Sequence, residues 1–245
     1  MSSLDALQLY CGQPYKINDY VTVKHPKFGQ IMEYGEARYR QVIGALTSTP
    51  SMMISILDDI GIDWEKISDF ELFAIYLRNG LTDDDCAFIF DGLRLSEFKL
   101  DKLESGQLIL RSVVSGNVID SLMYRRIADF LRRIHGMKYV VRKAGNAFTK
   151  KVMISDDRRT REQALREQTE SDSSLLPIIS ALVNSPGFKY KLSEMMDLPY
   201  FMLMDSLHRL SIIKQSDALL NGAYCGMADL SKVPKEEFNW MRPVD

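Results

Sequence analysis

Residues 120–136 read DSLMYRRIADFLRRIHG, and this stretch decides the fold class. Asp120 is of the type that caps a helix, its side chain accepting from a first-turn N–H. Gly136 stands where a helix ends in the left-handed conformation. Between them Leu122, Met123, Ile127, Phe130, Leu131 and Ile134 recur at three- and four-residue spacing. That spacing predicts an amphipathic helix from Asp120 to His135. Arg125, Arg126, Arg132 and Arg133 interleave with the stripe, so the same helix predicts a basic face.

The same period extends upstream. Ile31, Tyr34, Arg38 and Val42, with Tyr39, Ile43 and Leu46, predict one helix of about five turns after Pro26. Thr49-Pro50 reads as the start of another that ends near Gly61. Ser68 with Glu71 makes a capping box for the helix carrying Phe70, Leu72, Phe73, Ile75 and Leu77. A short hairpin is predicted from Tyr15-Lys16-Ile17 and Tyr20 to Lys24, around Asn18-Asp19. Between Ala87 and Arg111 the period changes to two. Phe88, Phe90, Leu93, Leu95 and Leu108 to Leu110 predict two or three short strands, with a turn at Glu104 to Gln107. The fold class is therefore mainly α with a small β element.

Downstream, SDDRRTREQALREQTESDSS holds only two apolar residues, Ala164 and Leu165. A segment this polar buries no face of its own, so it reads as a solvated linker helix or as disordered chain. Arg158, Glu162 and Arg166 at spacing four favour the helix. Leu176 to Val183 and Tyr200 to Asn221 then read as helices, Pro199 opening the second and Gly222 closing it. The organisation expected is an N-terminal α+β domain over 1–143, a charged connector over 144–174 and a helical C-terminal domain over 175–245. Tyr224, Phe238 and Trp240 predict that the tail of that last domain docks.

The 245 residues are 46% hydrophobic and 26% charged, with a net charge of −2. That composition folds without disulfides and carries no global field toward nucleic acid or membrane. Charge is uneven locally, however. From Asp58 to Glu104 there are 13 acidic and 5 basic residues, and from Ser121 to Arg166 there are 13 basic and 4 acidic. The basic stripe from Arg125 to Lys151 would suit nucleic-acid phosphates, the acidic half of another copy, or plain solvation. Cys11, Cys86 and Cys225 are too sparse for a disulfide framework and fit a reducing compartment, with Cys86 and Cys225 as small apolar residues. The opening MSSLDALQLYCGQPY has no basic leader, and no 18-residue apolar run spans a bilayer, so a cytosolic protein is expected.

Catalytic and metal motifs are missing from the pattern. His25, His135 and His208 make no metal spacing with each other or with the cysteines, and no phosphate-wrapping glycine loop or nucleophile elbow occurs. Asp83-Asp84-Asp85 reads as a solvated helix start capped by Thr82. Asp58, Asp59, Asp63 and Glu65 read as surface acids around a helix end. No enzyme, cofactor or metal is expected. The segment LSEMMDLPYFMLMDSLHRLSIIK has the size of a helix-turn-helix. Yet Tyr200, Phe201, Met202, Leu203, Met204, Leu207 and Leu210 are apolar nearly all round, and base reading needs exposed polar side chains. Tyr200, Phe201, Met202, Met204, Leu207 and Trp240 are the candidate partner-binding residues, and Arg125, Arg126, Arg132 and Arg133 the candidate electrostatic patch.

Several phrases resemble a family of tail-region proteins of bacteriophages and prophages of Gram-positive bacteria. In the first half they are Tyr15 to Asn18, His25-Pro26, Glu33 to Glu36 with Tyr39, Thr49-Pro50, Gly61 to Trp64 and Asp69 to Phe73. At the other end they are Gly222 to Gly226, Asp229 and Asn239-Trp240. The resemblance implies a non-catalytic tail-morphogenesis protein, and it carries over no functional residue. Such a protein is an assembly chaperone that binds the tape-measure or other tail proteins, or else a structural subunit of the tail or baseplate. The first would work in the host cytoplasm during assembly and the second would reside in the virion tail. A homo-oligomer is compatible with either, and a membrane with neither.

Overall fold

A computed structural model describes residues 6–167, 173–226 and 233–244. It is 57% helical and 8% strand, with the strands in two small sheets, so the architecture is mainly α with a small β element. The first half runs α1 (Ala6–Tyr10), β1 (Tyr15–Lys16), β2 (Thr22–Val23), α2 (Phe28–Tyr34), α3 (Glu36–Thr47), α4 (Ile54–Asp59), α5 (Asp69–Glu71) and α6 (Asp83–Ile89). After it come β3 (Phe98–Lys102), β4 (Leu108–Ser112), β5 (Val118–Ile119), α7 (Ser121–Ile134) and α8 (Ala147–Glu167). The last helices are α9 (Leu176–Val183), α10 (Leu192–Met195) and α11 (Tyr200–Tyr224).

Contacts divide the chain into a larger unit, Gln13–Pro26 with Ile31–Asp172, and a smaller unit, Met1–Gly12, Lys27–Gln30 and Ser173–Asp245. The division therefore differs from 1–143, 144–174 and 175–245. Two N-terminal segments cluster with the C-terminal helices, and α8 clusters with the larger unit.

In the larger unit α3 packs along α7. Tyr39, Val42, Ile43 and Leu46 are buried on α3, and Ile127, Phe130, Leu131 and Ile134 on α7. Asp120 accepts from the Met123 N–H at 2.7 Å, and Gly136 adopts φ 61°, as the cap pattern requires. Two expectations for this helix change. Leu122 is exposed, and Tyr124 and Ala128 are buried in the stripe instead. The five-turn helix expected after Pro26 is two helices, because Gly35 at φ 100° breaks it; only glycine takes that conformation without strain.

β1 and β2 pair antiparallel as the predicted hairpin, with Tyr15 opposite Val23. Asn18 Oδ1 accepts from the N–H groups of Tyr20 and Val21, which fixes the turn. β3, β4 and β5 form one antiparallel meander. Residues 88–90, expected as strand, lie mostly in α6. Thr82 caps that helix reciprocally with Asp85, and this local signal overrides the alternation of Phe88 and Phe90. Thr49-Pro50 opens only a 3-10 turn, Pro50–Met52, ahead of α4. The Ser68–Glu71 box forms, and α5 runs on through a π-helical turn at Leu72–Leu77.

A second cluster, Ile54, Leu57, Trp64 and Leu72, receives Met153 and Ile154 from α8. Those two residues give a helix with little apolar surface its footing. Around them Arg158 reaches Asp58 at 3.3 Å and Asp59 at 2.6 Å. Lys150 pairs with Asp63 and Glu65 and stands 4.6 Å from the Trp64 ring. The acidic and basic halves thus meet within one chain. The 144–174 segment is neither a free connector nor solvated throughout; its helix packs, and residues 168–172 lie outside the described residues.

Asp157 Oδ2 accepts from the Ser55 N–H at 2.9 Å, so α8 caps the first turn of α4. Asp157→Ala is expected to lower stability by about 1 kcal/mol, the ordinary worth of a lost cap, in denaturant unfolding. A change below about 0.3 kcal/mol would show that α8 does not hold α4.

In the smaller unit Phe28 N–H donates to the Leu198 carbonyl at 2.9 Å and Gly29 N–H to that of Met196 at 2.8 Å. A Cβ on Gly29 would stand 2.9 Å from the Met196 carbonyl oxygen, so only glycine allows this approach. Helix α11 runs through Gly222, expected as its end, to Tyr224. The tail docks along it. Ser216 Oγ donates to the Glu237 carbonyl at 2.9 Å, and Arg209 donates to the carbonyls of Trp240 and Arg242.

Candidate functional site

Two surfaces collect the residues singled out by sequence. The first is a cleft of about 380 Å³ in the larger unit. Its walls come from the 49–51 turn, the Trp64 to Phe70 segment with the start of α5, one face of α7, and the extended segment after α7. These pieces are held together by backbone hydrogen bonding to side chains. Thr49 Oγ1 donates to the Val140 carbonyl at 3.0 Å, Trp64 Nε1 to that of Arg142 at 3.3 Å, and the Arg142 N–H to Ser51 Oγ at 2.8 Å.

Of the expected electrostatic patch, the cleft gathers Arg125 and Arg132 and adds Arg142 and Lys143. Arg126 and Arg133 are exposed and line no part of it. Arg132 is not a surface charge: it is 5% exposed. Its Nε and Nη2 donate to the Thr47 carbonyl at 3.1 and 2.7 Å, and Nη1 reaches Asp129 at 3.1 Å. Thr47 closes α3, so this guanidinium occupies the negative end of that helix and satisfies a carbonyl the helix leaves open. Tyr139 stacks over it, 4.9 Å from the ring centre. Side chains of Arg125, Arg142 and Lys143, by contrast, make no hydrogen bond or ion pair with the described residues.

Asp69 lies 3.8 Å from Arg132. Burial pushes its carboxyl above the usual carboxylate value, against the opposing pull of the Tyr139 hydroxyl, Arg132 and Arg125. Burial likewise raises the phenols of Tyr124 and Tyr139. Tyr124 is 2% exposed, its ring stacked on Phe73 at 4.7 Å, and its hydroxyl has no hydrogen-bond partner among the described residues. Sequence reasoning placed neither Tyr124 nor Tyr139 at a site. An aromatic one residue before an arginine pair was the only available sign for Tyr124.

The second surface is α11. Of its 25 residues only Leu203 and Ser216 are buried. Tyr200, Phe201, Met202, Met204 and Leu207 are half-buried along it. Trp240 is 51% exposed and Met241 66%, on the tail that docks against the same helix. A pocket of about 190 Å³ opens between α9 and α11, lined by Leu182, Leu207 and Leu210 among others.

The remaining sequence candidates fall elsewhere. Asp83 and Asp84 are exposed as expected, but Asp85 is buried against Arg38 and Tyr34. Asp58, Asp59, Asp63 and Glu65 are engaged by α8. Cys86 is buried with its thiol pushed up by that burial, whereas Cys225, expected as packed, is exposed. His208 is exposed on α11, and His25 and His135 are in the larger unit. Among the described residues no group of three or more His, Cys, Asp and Glu could hold a metal ion, and no helix is long and apolar enough to cross a membrane. Asp229, one of the residues carrying the tail-protein resemblance, lies outside the described residues. Neither family models nor curated proteins nor solved structures yield a match to this chain.

Proposed function

We propose that the chain is a non-catalytic bacteriophage tail-morphogenesis protein, an assembly chaperone that binds a tape-measure or other tail protein through α11 and its docked tail. The single observation that carries this reading is the first half of α11, where Tyr200, Phe201, Met202, Met204 and Leu207 are only half-buried and Leu203 alone of the apolar residues is fully buried. Methionines at Met202 and Met204 make such a surface adaptable, as a chaperone's must be. The phrases at Gly61 to Trp64, Asp69 to Phe73 and Gly222 to Gly226 supply the phage assignment by resemblance. On this reading the protein works in the host bacterial cytoplasm while tails assemble, and its contact with the partner is apolar, so it survives salt.

The test is affinity purification of the tagged full chain from its native host lysate at two salt concentrations, with mass spectrometry of the eluate. A tape-measure or other tail protein is expected at both. Purified particles should contain none of the chain. A stoichiometric amount in the particles would make it a tail or baseplate subunit instead. Recovery of nucleic acid alone, lost at high salt, would overturn the partner-binding reading in favour of the basic stripe.

A further inference from the structure

The cleft of the larger unit has features that a partner bound on α11 leaves unused. Arg125, Arg142 and Lys143 line it with no hydrogen-bond or ion-pair partner among the described residues, while the two acids beside them are engaged. Asp69 lies 3.8 Å from the Arg132 guanidinium, and Glu65 takes Lys150 and the Ala144 N–H. The uncommitted charge is therefore positive and threefold. The first residues of α7, Ser121 and Leu122, also line the cleft, at a helix start already capped by Asp120. In the wall stands Tyr124, 2% exposed, whose buried hydroxyl has no hydrogen-bond partner among the described residues.

We infer that this cleft binds a small phosphorylated ligand, its phosphate held by Arg125, Arg142 and Lys143 and its less polar part lying against Tyr139 and Tyr124. A phosphate group fits better than a single carboxylate because it brings about two negative charges at neutral pH, against three free cations. Guanidinium forks match its oxygens two at a time. The size agrees: about 380 Å³ lies within the range of small-ligand sites, about 300–1,000 Å³. Arg132 holds the floor of the site in place through Thr47 and supports Tyr139, so it is a positioning residue. This inference stands apart from the chaperone reading, since none of its residues lies in the smaller unit.

The experiment is calorimetric titration of the full chain with inorganic phosphate, pyrophosphate and ATP, alongside thermal melts with the same probes. At least one probe is expected to bind and to raise Tm. Arg142→Ala, whose backbone contacts to Ser51 and Trp64 survive the change, should weaken binding tenfold or more, and Arg125→Ala similarly. Tyr124→Phe should leave binding unchanged and the Tm of the ligand-free protein unchanged or higher, because it removes an unsatisfied hydroxyl that the cleft does not reach. No binding of any probe at millimolar concentration, or binding that neither arginine change weakens, would overturn the inference. Binding of a short single-stranded oligonucleotide in place of all three probes would also overturn it, because the cleft would then be reading a polymer.

Discussion

Asp85→Ala is expected to cost the larger unit about 2–4 kcal/mol, the largest loss from any single change considered for this chain. The carboxylate is 3% exposed and serves three elements together. It accepts from Arg38 and Tyr34, at opposite sides of the α2–α3 break, and from the Thr82 N–H at 2.6 Å, closing the box that starts α6. Burial alone would push this carboxyl up; the Arg38 guanidinium, the Thr82 N–H and the Tyr34 hydroxyl outweigh it and hold it well below the usual range. The same contact, added to burial, pushes the Tyr34 phenol up to about 12. Truncation removes a helix cap and leaves two donors without their acceptor. Arg38 is 37% exposed on its side chain and can turn to water, which keeps the loss below that of a fully buried pair. Chemical denaturation of wild type and variant measures it, and a midpoint shift worth less than 1 kcal/mol would show that Asp85 does not join these elements.

The second large effect is a fall in stability on mild acidification. His25 is buried, and burial first and the neighbouring His135 second lower its pKa to about 4. Burial lowers His135 to about 4 as well. Nδ1 donates to the Leu131 carbonyl at 2.7 Å, which opposes the fall without outweighing burial, and Nε2 of the neutral ring accepts from the Tyr39 hydroxyl at 2.7 Å. A depressed histidine pKa means that the unfolded chain binds more protons than the folded one between about pH 6.5 and 4. Stability is therefore full above about pH 6.5 and is lost as the pH drops through that window. From pH 7 to pH 5 the loss should be about 1–2 kcal/mol for each histidine. Urea unfolding at several pH values measures the slope, and His25→Gln should flatten it by about half. Equal stability at pH 7 and pH 5 would contradict the burial of both rings.

What the sequence made legible, and what it hid, follows from the range of the interactions. The α7 helix from Asp120 to Gly136, the Ser68 box and the Asn18 turn are written in residues at most one helix apart, and they appear where that grammar puts them. Gly35 was harder, since the apolar period continues across it and only φ 100° ends α2. Phe88 to Phe90 show two local rules in conflict, alternation against a capping box, and the box prevails because it satisfies backbone groups the alternation does not.

The misreadings of charge share one cause. Arg132 looks solvated until the Thr47 carbonyl, 85 positions away, is brought to it. Asp85 looks like one of three surface acids until Arg38 and Tyr34 arrive. The polar α8 helix looks unsupported until Asp58 and Asp59 are laid beside Arg158. Burial of a charge depends on its partner, and no window of sequence contains these partners. The cleft is the extreme case, joining four segments between Thr49 and Lys143. The α11 surface is the reverse, because the crowded apolar run from Tyr200 to Met204, with Leu207 and Leu210, announces from its own sequence that something must cover it.

The central claim is that this surface takes a tail protein, and co-expression tests it most directly. The full chain and a phage tape-measure protein would be produced together, with wild-type α11 or with Met204→Glu and Leu207→Glu, after checking that both forms melt alike. The account predicts that the wild type co-purifies with a soluble tape-measure protein at high salt and that the double variant loses at least nine-tenths of it. Equal recovery by the two forms, or no recovery by either, would contradict the assignment of α11 as the binding surface.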